Sequence, residues 1–128
     1  MQNLKTLITV LALTLFLNNC RSSDPYRSNY LGSATTIPPG KDFELGGNGN
    51  GAFSAQVRNV GGSAVAISQR QSDGQVTSLG KLQPGDQRIL QFVAGSTAVF
   101  SNASAQSAEL GLKVIGDTNL RMGYAKEN

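Results

Sequence analysis

The stretch "AELGLKV" alternates apolar and polar side chains without a break. Leu110, Leu112 and Val114 fall on one phase, and Glu109, Gly111 and Lys113 on the other. Successive side chains of a β-strand point to opposite faces, so this period of two is the mark of a strand buried on one side only. The pattern recurs along the chain. "AFSAQVR" sets Phe53, Ala55 and Val57 against Ser54, Gln56 and Arg58, and "AVAISQR" sets Val65 and Ile67 against Ala66 and Ser68. "NLRMGY" puts Leu120, Met122 and Tyr124 on one phase, and "RILQF" leaves its facing open between Arg88, Leu90, Phe92 and Ile89, Gln91. Shorter runs at 43–45, 76–79 and 97–101 bring the set to about eight strands.

Turn formers separate these runs: 46–51, Gly61-Gly62, Asp73-Gly74, Pro84-Gly85, Gly95-Ser96, 102–104 and Gly116-Asp117. Strand and turn signals alternating every 8–12 residues or so predict an antiparallel sandwich or small barrel. No segment after residue 20 carries a helical period, and without crossover helices a parallel sheet is excluded. The expectation is one all-β domain over residues 42–128. It would fold alone on an inward set of Phe53, Val57, Val65, Ile67, Val76, Leu79, Leu90, Phe92, Phe100, Leu110, Leu112, Val114, Leu120 and Met122.

The N-terminus reads differently. One charge, Lys5, precedes an uncharged run whose apolar centre, residues 7–17, is eleven residues long. A spanning helix needs roughly 20 apolar residues, whereas a secretory h-region is this short and follows a positive flank. Leu17-Asn18-Asn19-Cys20 resembles the lipobox of bacterial lipoproteins, with Leu three positions before the cysteine. Asn19 stands where that family usually has Gly, Ala or Ser. The resemblance implies a signal peptide over residues 1–19, cleavage before Cys20, diacylglycerol on its thiol, and a lipid-anchored place in the bacterial envelope, the outer membrane rather than the inner. The other chemistries of the thiol lack partners. Cys20 is the only cysteine and the chain has no histidine, so neither an internal disulfide nor a His-activated nucleophile can form.

Residues 20–41 are rich in Ser, Thr, Pro and Gly, the composition of a flexible spacer, which as a random coil would reach about 25 Å. The alternative is that Tyr26, Tyr30 and Leu31 pack on the domain as an edge strand.

Within residues 59–92, an Asn-x-Gly turn is followed some twenty residues later by "LQPGD" and an alternating strand. This resembles immunoglobulin-like modules of bacterial secreted proteins and implies a seven- or eight-stranded sandwich that binds or scaffolds without catalysis. The antibody-type cysteine pair and tryptophan are absent.

Catalytic and cofactor signals are weak. "GGNGNGA", residues 46–52, fits the spacing of a dinucleotide fingerprint, but that fingerprint works between a strand and a helix; here a strand follows, so a hairpin loop is expected. Asp73, Asp86 and Asp117 sit beside turn glycines, where aspartate caps its own turn. Asp42 and Glu44 share a strand phase, yet two carboxylates are few for calcium. Asn102-Ala103-Ser104 is a glycosylation sequon. Outside Lys5, ten basic side chains face eight acidic ones and the basic ones are scattered, which excludes the clustered charge of a nucleic-acid binder. Ser54, Gln56, Arg58, Ala66, Ser68 and Arg70 offer a small, polar outer surface for a partner. The sequence therefore predicts no catalytic residue, no metal and no cofactor. Its expected role is a non-catalytic, lipid-anchored envelope protein, with the membrane, another envelope protein or a polysaccharide as partner; the alternative is an accessory subunit or small enzyme acting on envelope polysaccharide.

Overall fold

The computed structural model describes residues 30–125. The signal segment, Cys20 and the first part of the spacer lie outside them, and with them the expected processing and lipidation. Nine strands follow one another: β1 (Tyr30–Ile37), β2 (Asp42–Gly46), β3 (Phe53–Asn59), β4 (Val65–Arg70), β5 (Val76–Leu82), β6 (Gln87–Phe92), β7 (Thr97–Ser101), β8 (Ala108–Gly116) and β9 (Met122–Tyr124). Residues 30–37, part of the stretch with spacer composition, form β1, which pairs with β8 along its whole length.

All pairings are antiparallel and make two sheets, a four-stranded one ordered β1-β8-β3-β6 and a five-stranded one ordered β5-β4-β7-β2-β9. Strand β1 pairs with β8, β2 with β7, β3 with β6, and β4 with β5. The chain is thus one long antiparallel ribbon, folded back at the β4–β5 turn and wound so that successive pairs alternate between sheets. That winding is a jelly roll, or double-stranded β-helix. It replaces the immunoglobulin-like arrangement expected from the sequence, in which neighbouring strands such as the first two and the last two pair within a sheet. Among the described residues, β4 and β5 are the only consecutive strands that pair. The connections are four to six residues long. Facing sheets stand about 10 Å apart, and four residues already reach about 13 Å, so such a connection can arch between sheets as readily as close a hairpin. Strand positions are legible in an alternating sequence, but pairing is not.

The core lies between the sheets. Phe53 and Phe92 stack across β3 and β6 with ring centroids 4.9 Å apart, and Phe43 meets Phe100 across β2 and β7 at 6.3 Å. Ile37, Leu45, Val57, Val65, Ile67, Leu82, Leu110, Leu112 and Val114 complete it. Burying each large aliphatic or aromatic side chain contributes about 1.5–3 kcal/mol. β6 resolves with Leu90 and Phe92 inward, and Arg88 on the same phase donates from Nη1 to the Leu79 carbonyl, 2.6 Å away, between two edge strands. Of the expected core residues, Leu79 and Leu120, only partly buried, pack against the core's edge, and Val76 and Met122, both exposed, leave it. The cause in β5 is a register shift: Ile67 faces Gly80 but Ser68 faces Ser78, so Leu79 is the extra residue of a bulge and Val76 falls on the outer phase.

Candidate functional site

Winding the ribbon sorts its connections into two groups. Segments 47–52, 71–75, 93–96 and 117–121 lie at one end of the sandwich, and segments 38–41, 60–64, 83–86 and 102–107 at the other.

The second end is closed by two buried asparagines. Asn102 is 1% exposed; its Nδ2 lies 3.0, 3.3 and 2.7 Å from the carbonyl oxygens of Ile37, Pro38 and Gln106, and its Oδ1 accepts from the Ser104 amide and hydroxyl. Asn59 Nδ2 donates to the carbonyls of Ser63 and Leu82, and Oδ1 accepts from the Gly61 N–H. The sequon at Asn102 is therefore a structural element, its amide occupied inside the fold.

The first end carries the glycine loop. It is not the hairpin expected from sequence but an arch from β2 in one sheet to β3 in the other. Gly47 has φ +78°, and a Cβ there would collide with Thr97 Oγ1, so any other residue is strained here. Asn50 fastens the loop from within: Oδ1 accepts from the Gly47 N–H at 2.9 Å and its carbonyl accepts from Gly95 at 2.7 Å. Asp117 fastens it from the side, its two oxygens accepting from the amides of Gly51 and Asn119 at 2.7 and 2.9 Å. Those two backbone donors, Asn119 foremost and then Gly51, hold the Asp117 carboxyl below its ordinary pKa. Asn48 links the arch to the β8–β9 connection, donating to the Asn119 carbonyl at 3.0 Å and accepting from the Arg121 N–H at 3.4 Å.

Beside this rigid arch, on the outer face of the five-stranded sheet, Glu44 stands between two arginines. Its Oε1 is 2.7 Å from Arg70 Nη2 and its Oε2 is 4.0 Å from Arg121 Nη2. The Glu44 side chain is 13% exposed and that of Arg121 62%. Val99, paired in register with Glu44 and Ser68, is buried although it lies on this outer face. Two hollows meet at Arg121. A hollow of about 180 Å³ runs along Glu44, Met122, Gly123 and Tyr124. A larger one of about 310 Å³ is bounded by Arg70, Ser72, Thr97 and the glycine backbones at 47, 49, 74 and 95. Two guanidiniums against one carboxylate leave one cationic fork in excess. Arg70 is committed to Glu44 by a short charge-assisted bond, and Arg121 is the fork that faces solvent.

The other residues marked in the sequence are dispersed. Asp42 shares the outer phase with Glu44, but Glu44 is held by arginine; among the described residues no three acidic, Cys or His side chains come together as metal ligands. Asp73 and Asp86 cap their turns, accepting from the amides of Gln75 and Gln83. The small polar surface divides. Ser54, Gln56 and Arg58 lie on the outer face of one sheet, beside Lys113, whose Nζ sits 4.8 Å above the Tyr30 ring; Ala66, Ser68 and Arg70 lie on the outer face of the other. Sequence reasoning reached Arg70 only as part of that surface and missed Arg121. Nothing local connects two arginines fifty-one positions apart.

Fold and site together define a double-stranded β-helix domain with a filled interior and a polar cleft at its loop end. No family model matches the chain, and no curated protein sequence matches it. Among solved structures it is similar to the cupin domain of an XRE-family transcriptional regulator from Enterobacter cloacae, at 14% identity and TM-score 0.48, over 73% of this chain and 90% of that one. It is also similar to a cupin-superfamily sugar phosphate isomerase from Silicibacter pomeroyi, at 14% identity and TM-score 0.44, over 77% of this chain and 57% of that one. A third is an uncharacterised conserved protein with a double-stranded β-helix domain from Klebsiella pneumoniae, at 17% identity and TM-score 0.47, over 78% and 77%. These are cupin-type and double-stranded β-helix domains, not immunoglobulin-like ones. The strand order is not immunoglobulin-like, so the expected binding or scaffolding role of a lipid-anchored envelope protein, which rests on immunoglobulin-like modules, falls with that analogy.

Proposed function

We propose that this chain is a ligand-binding domain that holds a small anion, bearing carboxylate or phosphate, in the hollow bounded by Arg70, Arg121 and the glycine backbones at 47, 49, 74 and 95. The observation that carries the reading is Arg121 itself. A guanidinium, 62% exposed and 4.0 Å from the Glu44 carboxylate, stands over a hollow of about 310 Å³ whose remaining wall is Arg70, Gln71, glycine backbone and the side chains of Ser72 and Thr97. Arginine presents donors in a fixed fork that matches carboxylate and phosphate oxygens. The hollow has the volume of a small-molecule site. Glu44 orients the pair by holding Arg70, so an arriving anion meets one fork already placed and a second that swings in.

The reading assigns no catalysis. The chain has no histidine, and Glu44, the carboxylate of the cleft, is engaged by guanidinium. The specificity rests on oxygens of the anion rather than on apolar burial, since the lining is polar.

Thermal unfolding in the presence of inorganic phosphate, citrate and succinate tests the reading. A ligand at a hundredfold its Kd stabilises the folded state by about 2.7 kcal/mol, an increase that Arg121→Ala should abolish and Arg121→Lys reduce. An equal response in wild type and Arg121→Ala, or none to any of the three anions, would remove this site from consideration.

A further inference from the structure

The glycine loop contains two Asn-Gly sequences, Asn48-Gly49 and Asn50-Gly51. In such a pair the backbone nitrogen of glycine can attack the asparagine Cγ, because no Cβ shields the approach. The new C–N bond closes a succinimide, Nδ2 leaves as ammonia, and water opens the ring to aspartate or isoaspartate. Identical dipeptides in one loop should age alike. The fold treats them differently. Asn50 is 6% exposed, its Oδ1 accepts from Gly47 and its Nδ2 donates to the Gly51 carbonyl, and the attacking Gly51 N–H is committed to Asp117 Oδ2 at 2.7 Å. Asn48 is exposed, and among the described residues the Gly49 N–H has no hydrogen-bond partner.

We propose that Asn48 is a self-modification site, deamidating in the folded protein while Asn50 is protected, and that the change lowers the affinity of the adjacent cleft for anions. The second half rests on the cleft being an anion site. The amide of Asn48 donates to the Asn119 carbonyl and accepts from the Arg121 N–H. A carboxylate at 48 has no proton to give Asn119. It keeps the bond from Arg121 and sets a negative charge at the backbone of the residue whose guanidinium would receive the ligand. The isoaspartyl product adds a backbone atom in an arch where Gly47 is already seated against Thr97.

The full chain, incubated at mildly alkaline pH and digested with trypsin, yields one peptide, residues 42–58, whose fragment ions separate position 48 from position 50. In the folded protein, acid should accumulate at 48 at least about tenfold faster than at 50, and in denaturing urea the two rates should converge, because protection follows the population of the open form. Equal rates in the folded protein, or faster conversion at 50, overturn the modification site. Phosphate affinity is then compared among wild type, Asn48→Asp and Arg121→Ala. Binding weakened several-fold in Asn48→Asp supports the control of the cleft. Unchanged binding in that variant, with loss in Arg121→Ala, overturns the control and leaves the cleft standing. Absence of phosphate binding in wild type overturns the cleft and the control together, while the fragment ions still decide the modification.

Discussion

The two ends of this sandwich are built from the same residue types and do opposite things. At the end formed by 38–41, 60–64, 83–86 and 102–107, Asn59 and Asn102 turn inward and bind mainly backbone groups, with the Ser104 hydroxyl also donating to Asn102. At the other end Asn50 is buried within its own loop, whereas Asn48, which binds backbone groups too, stays exposed beside the cleft. Inside, an amide that loses its partner leaves several carbonyls without hydrogen bonds and without water to replace them. At the surface, water takes over. The lesson is that burial, not the amide's bond count, makes an asparagine structural, and substitutions at the two ends should separate stability from binding.

The largest effect belongs to the sealed end. Asn102→Ala takes a donor from the carbonyls of Ile37, Pro38 and Gln106, of which Pro38 keeps the Lys41 N–H and Gln106 the Ser104 hydroxyl, takes the acceptor from Ser104, and should lower stability by about 3 kcal/mol. Urea unfolding measures it, and Asn59→Ala should cost nearly as much. A loss under about 1 kcal/mol for Asn102→Ala would mean that the closed end is not what holds the fold.

Gly47→Ala comes next and touches both properties. The new methyl meets Thr97 Oγ1, and the residue must keep a positive φ that costs a non-glycine residue about 1–3 kcal/mol. The double variant Gly47→Ala, Thr97→Ala removes the collision but keeps the backbone cost. Recovery of part of the lost stability, and no more than part, is expected by urea unfolding. Full recovery would show that the backbone conformation there is not demanding.

Arg121→Ala should do the reverse of Asn102→Ala. The side chain is mostly exposed and its ion pair is long, so stability should stay within about 0.5 kcal/mol of wild type while the response to phosphate disappears. If unfolding shifts as much as for Asn102→Ala, Arg121 is a structural residue and the contrast between the ends collapses.

How much of this the sequence disclosed follows the same division. The alternation in "AFSAQVR" and "AELGLKV" placed β3 and β8 and their inward residues, because a half-buried strand writes its burial into every second position. Val76 was misplaced because a bulge at Leu79 reverses the phase; the signal in "VTSLGKL" is Gly80, with φ +97°, since an isolated glycine inside a strand marks a bulge. The topology stayed hidden because an arch and a hairpin need the same turn formers. The cleft was least legible. Arg70 ends β4 and Arg121 precedes β9; only the winding that sets β9 against β2 brings both to Glu44. Asn102 shows the converse: the sequence places it among the turn formers at 102–104, and the fold buries it.

Asp117 gives the smallest effect and the finest test of the contrast, because it supports the open end without being buried. Its carboxylate accepts from the amides of Asn119 and Gly51, which depresses its pKa in the folded state below the ordinary 3.8. A depressed acid stabilises the fold in its charged form: the contribution is complete above the unfolded value of 3.8 and is lost as pH falls through the lower folded value. Asp117→Asn keeps a carbonyl oxygen for one of the two donors and has nothing to titrate. Urea unfolding of wild type and variant should therefore show wild type the more stable at neutral pH, with the gap constant down to about pH 4 and closing below it. Other carboxylates titrate in the same range, but they do so in both proteins and cancel in the difference. A gap that stays constant into strong acid would mean that the two amide bonds do not favour the charged form, and that Asn50 and Asn48 alone hold the arch.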